Sequence, residues 1–360
     1  MGRGGAMPPN RGRAAPAAGA ADPRLAALLA GAGMGGRGFE VRALPGGFAN
    51  AVWRVDTGLE APGLGHRRVA KVFSELSRRR ASAGDSSWGD VALKRGGLDS
   101  LGAGLVYASR EGVVHEWLPG NSLSLESLLA EGEPLLECMA VRLAQLHGIR
   151  LPRQARALFW GWLRSMSDVA FRRGTRPCFG TGRETLEREV AWAEAEVARA
   201  ELGSPLVFCH GDLKPDNVIR VANEHGGADA IDLRFIDLEL AGPNWRGLDV
   251  AKLFRAGTGG ENTRPLTFEE GSECERALRA FVGHYCLASG VGDPERLVLE
   301  AKALLPLTWL EAHLFFRAAL SLETCSTRQE TLSELAEHRW ECYLGTRAAL
   351  SSYSAELRRG

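Results

Sequence analysis

Two stretches hold the residue types that phosphoryl transfer needs: Cys209-His-Gly-Asp212-Leu-Lys214-Pro-Asp-Asn217 and, further along, Phe235-Ile-Asp237-Leu-Glu239. In such sites one Asp accepts the proton of the attacking hydroxyl, an Asn a few residues on holds one Mg²⁺, and an Asp closing a later strand holds another. Asp212, Asn217 and Asp237 fit those roles in that order, with Lys214 of the same motif as a second catalytic candidate. A single loop Asp is more often a turn former or a helix cap. The joint spacing is what carries the chemistry. Two oxygen ligands suit Mg²⁺, which keeps several waters and completes its shell with substrate phosphates, so ATP is the natural co-substrate.

These residues need elements to hold them. Leu206-Val-Phe-Cys209 follows Gly203-Ser-Pro205 and reads as a buried strand that delivers His210 and Asp212 into a loop. Pro215 breaks any helix there. Val218–Val221 and Ile231–Ile236, separated by the Gly-rich stretch 223–230, read as a hairpin that returns Asp237 to the side of Asn217.

Upstream, 39–44 and Ala51–Asp56 look like strands joined by Pro45-Gly46-Gly47-Phe-Ala-Asn50. The glycines allow a tight turn whose amides approach phosphate, and Asn50 can brace it. A Gly-Gly turn alone is usually just a hairpin. Its place ahead of Arg68-Val-Ala-Lys71-Val-Phe73 adds weight, because a third-strand lysine binds the α and β phosphates and pairs with an acid on a following helix. Asp90 is the expected partner; the bland reading is an acid favoured at a helix start. Residues 78–85 read as a solvated loop. Val113–Trp117 reads as the last strand of this lobe, with backbone near Glu116 and Trp117 facing adenine and 118–121 as the connector. Beyond it the pattern is helical: Leu135, Met139, Leu143 and Leu146 share one face, and Thr181-Gly-Arg-Glu184 reads as a capping box.

The chain has 360 residues, zero net charge and 24% charged residues. That balance gives no electrostatic case for nucleic acid as a partner, and no apolar run reaches the roughly twenty residues of a spanning helix. Seven scattered cysteines without CxxC spacing read as reduced thiols of a cytoplasmic protein. Residues 1–38 are Gly, Ala, Pro and Arg rich, with Asp22 as the one acid, and read as a disordered extension apart from a short helix around 24–30. Organelle targeting is the weaker reading, since Ser is absent there.

Together these segments resemble the choline/ethanolamine kinase family. The likeness runs through Gly46-Gly-Phe-Ala-Asn50-Ala-Val-Trp-Arg, His115-Glu-Trp-Leu-Pro-Gly120, Leu143-Ala-Gln-Leu-His147, the two motif stretches, Asn244-Trp-Arg-Gly-Leu-Asp249-Val-Ala and Leu310-Glu-Ala-His-Leu-Phe-Phe316. It implies an α+β, bilobal protein-kinase-like fold, with a small antiparallel-sheet N-lobe over 39–120 and a larger, mainly helical C-lobe over 121–360. It also implies Asp212 as base, Asn217 and Asp237 on Mg²⁺, Lys71 near the phosphates, and Glu239, Asp249 and Phe316 on the substrate. A homodimer is the candidate assembly.

The chain departs from the family in three places. His210-Gly211-Asp212 stands where the family reads His-Asn-Asp. Lys252-Leu-Phe254-Arg255-Ala256 stands where it reads Asn-His-Phe and then an acid, and Phe316 and Ala319 occupy a register that carries tryptophans. Quaternary ammonium recognition relies on aromatic faces and nearby negative charge, so ethanolamine is the expected acceptor, with choline next. An aminoglycoside-type small-molecule kinase and a nucleotide-binding pseudokinase are the rivals.

Overall fold

The protein is described from a computed structural model covering residues 22–34, 39–44, 49–57, 67–80, 88–172, 181–199, 204–222, 231–255, 268 and 270–357. The Gly46–Gly47 turn, the 223–230 stretch and Ala256 lie outside the described residues.

The first lobe begins earlier than its composition suggests. Asp22, the one acid of that segment, accepts from Arg24 N and caps helix α1 (Pro23–Leu29), with Pro23 at its first turn. A seven-residue helix is too short to persist by itself. It is held by Leu25, Leu28 and Leu29, all buried against the sheet, where a fully buried leucine contributes about 1.5–3 kcal/mol. The short helix expected around 24–30 is α1, and residues 22–34 pack with the lobe.

Strands β1 (Glu40–Ala43), β2 (Ala51–Asp56) and β3 (Arg67–Val72) form an antiparallel run. Alternation along β3 buries Ala70 and Val72 under α1 and turns Lys71 to the other face. Helix α2 (Glu75–Arg80) occupies the first part of the 78–85 stretch expected to be loop, and α3 (Trp88–Arg95) follows. Strands β4 (Leu105–Ser109) and β5 (Gly112–Glu116) complete a sheet of order β1-β2-β3-β5-β4. β4 was not foreseen, because its mixed run lacks clean alternation. The expected connector contains β6 (Gly120–Ser122), which pairs with a C-lobe strand.

The C-lobe is built from α4 (Leu125–Ala130), α5 (Glu133–His147), α6 (Phe159–Ala170) and α7 (Arg183–Arg199), then β7 (Leu206–Cys209), β8 (Val218–Val221), β9 (Leu233–Phe235) and β10 (Gly242–Trp245). Helices α8 (Arg246–Phe254), α9 (Glu273–Ser289), α10 (Pro294–Leu322) and α11 (Ser326–Leu357) follow. Their apolar faces, with Leu143, Trp162, Phe208, Phe281 and Leu310 among them, merge into one core, separate from the smaller core under α1. The α+β two-lobed expectation holds. No described helix is long and apolar enough to cross a membrane.

Candidate active site

β7 pairs with β10 along its whole length, which fixes the strand that launches the catalytic loop. His210 follows, fully buried: its Nδ1 accepts from the Asp212 N–H and its Nε2 lies 3.0 Å from the Ile236 carbonyl. That pattern assigns the proton to Nε2 and ties the first motif to the second. Gly211 has φ +83°, and an added Cβ would overlap the Leu240 carbonyl, so no other residue fits this turn.

After Asp212, Pro215–Asn217 forms a single 3₁₀ turn. Asn217 Nδ2 donates to the Asp212 carbonyl at 2.8 Å, which leaves its amide oxygen as the donor for a metal. The Ile236 N–H donates to the Asn217 carbonyl at 2.9 Å, and this β8–β9 contact sets Asp237 beside Asn217. Asp237 is left-handed (φ 65°), the one described non-glycine residue with positive φ. Such strain persists where the surroundings over-determine it, often at functional sites.

Lys71 reaches across the cleft to Asp237, with Glu239 Oε2 at 2.9 Å. Burial alone would lower the lysine, but the two carboxylates raise it above its ordinary value, and burial is outweighed at Asp237 too, where Lys71 holds the carboxyl below the usual range. Glu239 also accepts from Asn50 Nδ2 at 2.6 Å and from Ser77 Oγ at 3.2 Å, while Asn50 Oδ1 takes the Ser74 N–H. One expectation changes here. The acids paired with Lys71 are Asp237 and Glu239, and Glu239 ties Lys71 to Asn50 and Ser77. Asp90 instead lies 3.0 Å from His115 Nε2, because α3 packs by Gly89 onto the 238–240 turn and carries Asp90 toward β5.

At the expected hinge, Glu116 N–H donates to Gly104 O and Trp117 N–H to Arg67 O, so these two donors are engaged within the sheet. Lys214 is half-buried near Asp237 and helps lower its carboxyl.

Asp249 was expected at the substrate. It is instead fully buried beneath the loop, accepting from His210 N at 2.6 Å and Gly211 N at 2.9 Å. His147 Nε2 lies 3.2 Å away, and His147 Nδ1 meets the Tyr285 hydroxyl at 2.8 Å. Burial would raise the Asp249 carboxyl, yet the His147 hydrogen bond and the Gly211 N–H bring it below the usual range. Phe316 is 3% exposed and lies edge-on to Phe315 within the core. Sequence reasoning read His147 only as a helix end and passed over Lys252 and Glu311, whose single signal was the departure from the family at 252.

A mainly helical lobe and a small sheet lobe closing on an Asp, Asn, Asp set define a protein-kinase-like phosphotransferase architecture. The chain belongs to the choline/ethanolamine kinase family, whose sequence profile matches residues 98–290, more than half of it. Among relatives, Probable ethanolamine kinase A of Dictyostelium discoideum is 26% identical over 160 residues, covering 43% of each chain. Ethanolamine kinase 2 of Homo sapiens is 30% identical over 155 residues, 40% of this chain and 36% of the relative. The chain thus spans less than half the length of these curated relatives. A Plasmodium vivax ethanolamine kinase structure superposes with a TM-score of 0.65 at 16% identity, over 86% of this chain and 84% of that one, a likeness of fold.

Proposed function

We propose that this protein transfers the γ-phosphoryl group of ATP to the hydroxyl of a small amino alcohol, with ethanolamine ahead of choline. The observation that carries the reading is the meeting of Asp212, Asn217 and Asp237 at one cleft, with Lys71 facing them from the other lobe. Asp212 takes the hydroxyl proton and orients the nucleophile, and Lys71 supplies the cation for the α and β phosphates. The amide oxygen of Asn217 and the carboxylate of Asp237 are the hard oxygen donors that fit Mg²⁺, which when bound neutralises charge on the phosphates. The product is a phosphomonoester, the kind of head group that phosphatidylethanolamine and phosphatidylcholine synthesis consumes. Positioning and charge stabilisation supply most of the rate.

Two of the relatives and the Plasmodium vivax structure are named ethanolamine kinases, which supports ethanolamine, and so does the chemistry where α8 and α11 meet α10. Arg255 and Arg339 lie over the Trp309 ring at 5.0 and 5.3 Å from its centroid, so the protein's own guanidinium groups take the cation–π contacts it offers. With Phe316 in the core, neither ring is presented to a trimethylammonium. A primary ammonium relies on N–H donors instead. Six described cysteines are free, which suits a cytoplasmic location.

The test is an ATP-consumption assay of the purified protein with ethanolamine, choline and unrelated hydroxyl acceptors, with product identification. Acceptor-dependent ADP release with phosphoethanolamine as product is expected. Nucleotide binding without transfer to any acceptor would instead mark a pseudokinase.

A further inference from the structure

Lys252 stands where the resemblance to related kinases expects Asn, and it is 1% exposed. It lies one helical turn after Asp249 on α8, so both side chains leave the same face of the helix. That face meets Gly211 from both ends. Asp249 Oδ1 accepts the Gly211 N–H at 2.9 Å, while Lys252 Nζ donates to the Gly211 carbonyl at 2.5 Å. The same ammonium lies 3.0 Å from Glu311 Oε2 on α10 and 3.6 Å from Asp212 Oδ1.

Glu311 is itself 2% exposed, so the Lys252–Glu311 pair is an internal ion pair, in which each charge depends on the other. α8 is fixed from its other end too: Arg246 makes a two-pronged pair with Glu300 of α10 at 2.7 and 2.8 Å. The helix that grips the loop is therefore anchored to α10 by one buried ion pair near its start and one near its end. The Gly211–Asp212 peptide linkage begins at the carbonyl that Lys252 holds, so a shift of that ammonium rotates the linkage that carries the Asp212 carboxylate.

We propose that Lys252, held in place by Glu311, is a positioning residue: it completes a two-point grip on Gly211 and aims the Asp212 carboxylate at the acceptor hydroxyl. The role rests on the reading of Asp212 as the base. Misplacement of a catalytic group by about an ångström costs rate, while Lys71, the cation proposed for the α and β phosphates, lies on the other lobe, away from this pair.

The deciding experiment removes both charges in the full-length protein, as Lys252→Met with Glu311→Leu. Replacing a whole buried pair by apolar side chains is often neutral in stability, whereas breaking one half is not. Four quantities are read: thermal midpoint, ATP affinity, kcat and KM for ethanolamine, and hydrogen exchange of residues 206–218. A near-wild-type midpoint and ATP affinity are expected, with kcat lowered about ten- to a hundredfold, and faster exchange in 206–218. A double variant with wild-type kcat and unchanged exchange would show the pair to be packing alone. If the double variant does not fold, Lys252→Asn is read the same way: slower turnover at unchanged ATP affinity supports the role, and wild-type turnover overturns it. Should the wild-type enzyme phosphorylate neither ethanolamine nor choline, the functional reading fails, and the exchange of 206–218 still decides the grip: protection equal to wild type sinks it.

Discussion

On the nucleotide side of the cleft, the Lys71 and Asp237 side chains are 12% and 35% exposed; beneath the catalytic loop, those of Asp249, Lys252 and Glu311 are exposed by 0, 1 and 2%. Both regions pair lysine with carboxylate. They differ in what water can reach. The Lys71 group stands at the cleft, where phosphate and metal can take over its carboxylate contacts, so its pairing is suited to exchange. The charges under the loop have no such replacement: Glu311 holds Lys252, and Asp249 and Lys252 hold backbone N–H and C=O groups of His210 and Gly211. A buried charge that loses its partner keeps its full desolvation cost. On the proposed reading the cleft charges serve ligands and the charges below serve geometry, so breaking one buried partner should cost stability where a cleft substitution costs activity.

The largest effect expected is at the footing. Asp249→Ala leaves the His210 and Gly211 N–H groups and His147 without their acceptor, and should lower stability by about 3–5 kcal/mol, the scale for breaking a buried charged network. Thermal or urea unfolding measures it; a variant as stable as wild type would erase the contrast. Asp212→Asn comes next, keeping the fold and ATP binding while lowering kcat by at least ~10²-fold, the scale of general-base and orienting catalysis. A near-normal rate would remove Asp212 from the mechanism.

Asp237→Ala tests the cleft group from the metal side. It should raise the Mg²⁺ needed for half-maximal rate by roughly tenfold or more, or abolish activity, with no matching fall in thermal midpoint. Loss of stability with normal residual turnover would move Asp237 to the structural set. The smallest effect concerns the acceptor: kcat/KM should favour ethanolamine over choline by about tenfold, the worth of one or two absent cation–aromatic contacts. A preference for choline would show that aromatic faces other than Trp309 and Phe316 form the pocket. Ala319 is 8% exposed in the core, so a tryptophan introduced there reports overpacking rather than selectivity.

Much of this was written in local pattern. The short apolar run 206–209, the proline after Lys214 and the hairpin that follows are decided by residues near one another in the chain, so β7, β8, β9 and the neighbourhood of Asp212, Asn217 and Asp237 could be read directly. Lys71 was legible for the same reason, since alternation along one strand sets which face it takes. What the sequence alone could not decide was pairing at a distance. Whether Lys71 meets Asp90 or Glu239 depends on how α3 packs at Gly89, and whether Asp249 faces substrate or the underside of the loop depends on the rotation of α8 against α10. The docking of α1 likewise depends on a sheet surface formed by strands later in the chain. Helix and strand periodicity fix which side chains share a face; which partner that face meets is fixed by close packing between elements far apart in sequence, and here that packing turned Asp249, Lys252 and Glu311 inward beneath the catalytic loop.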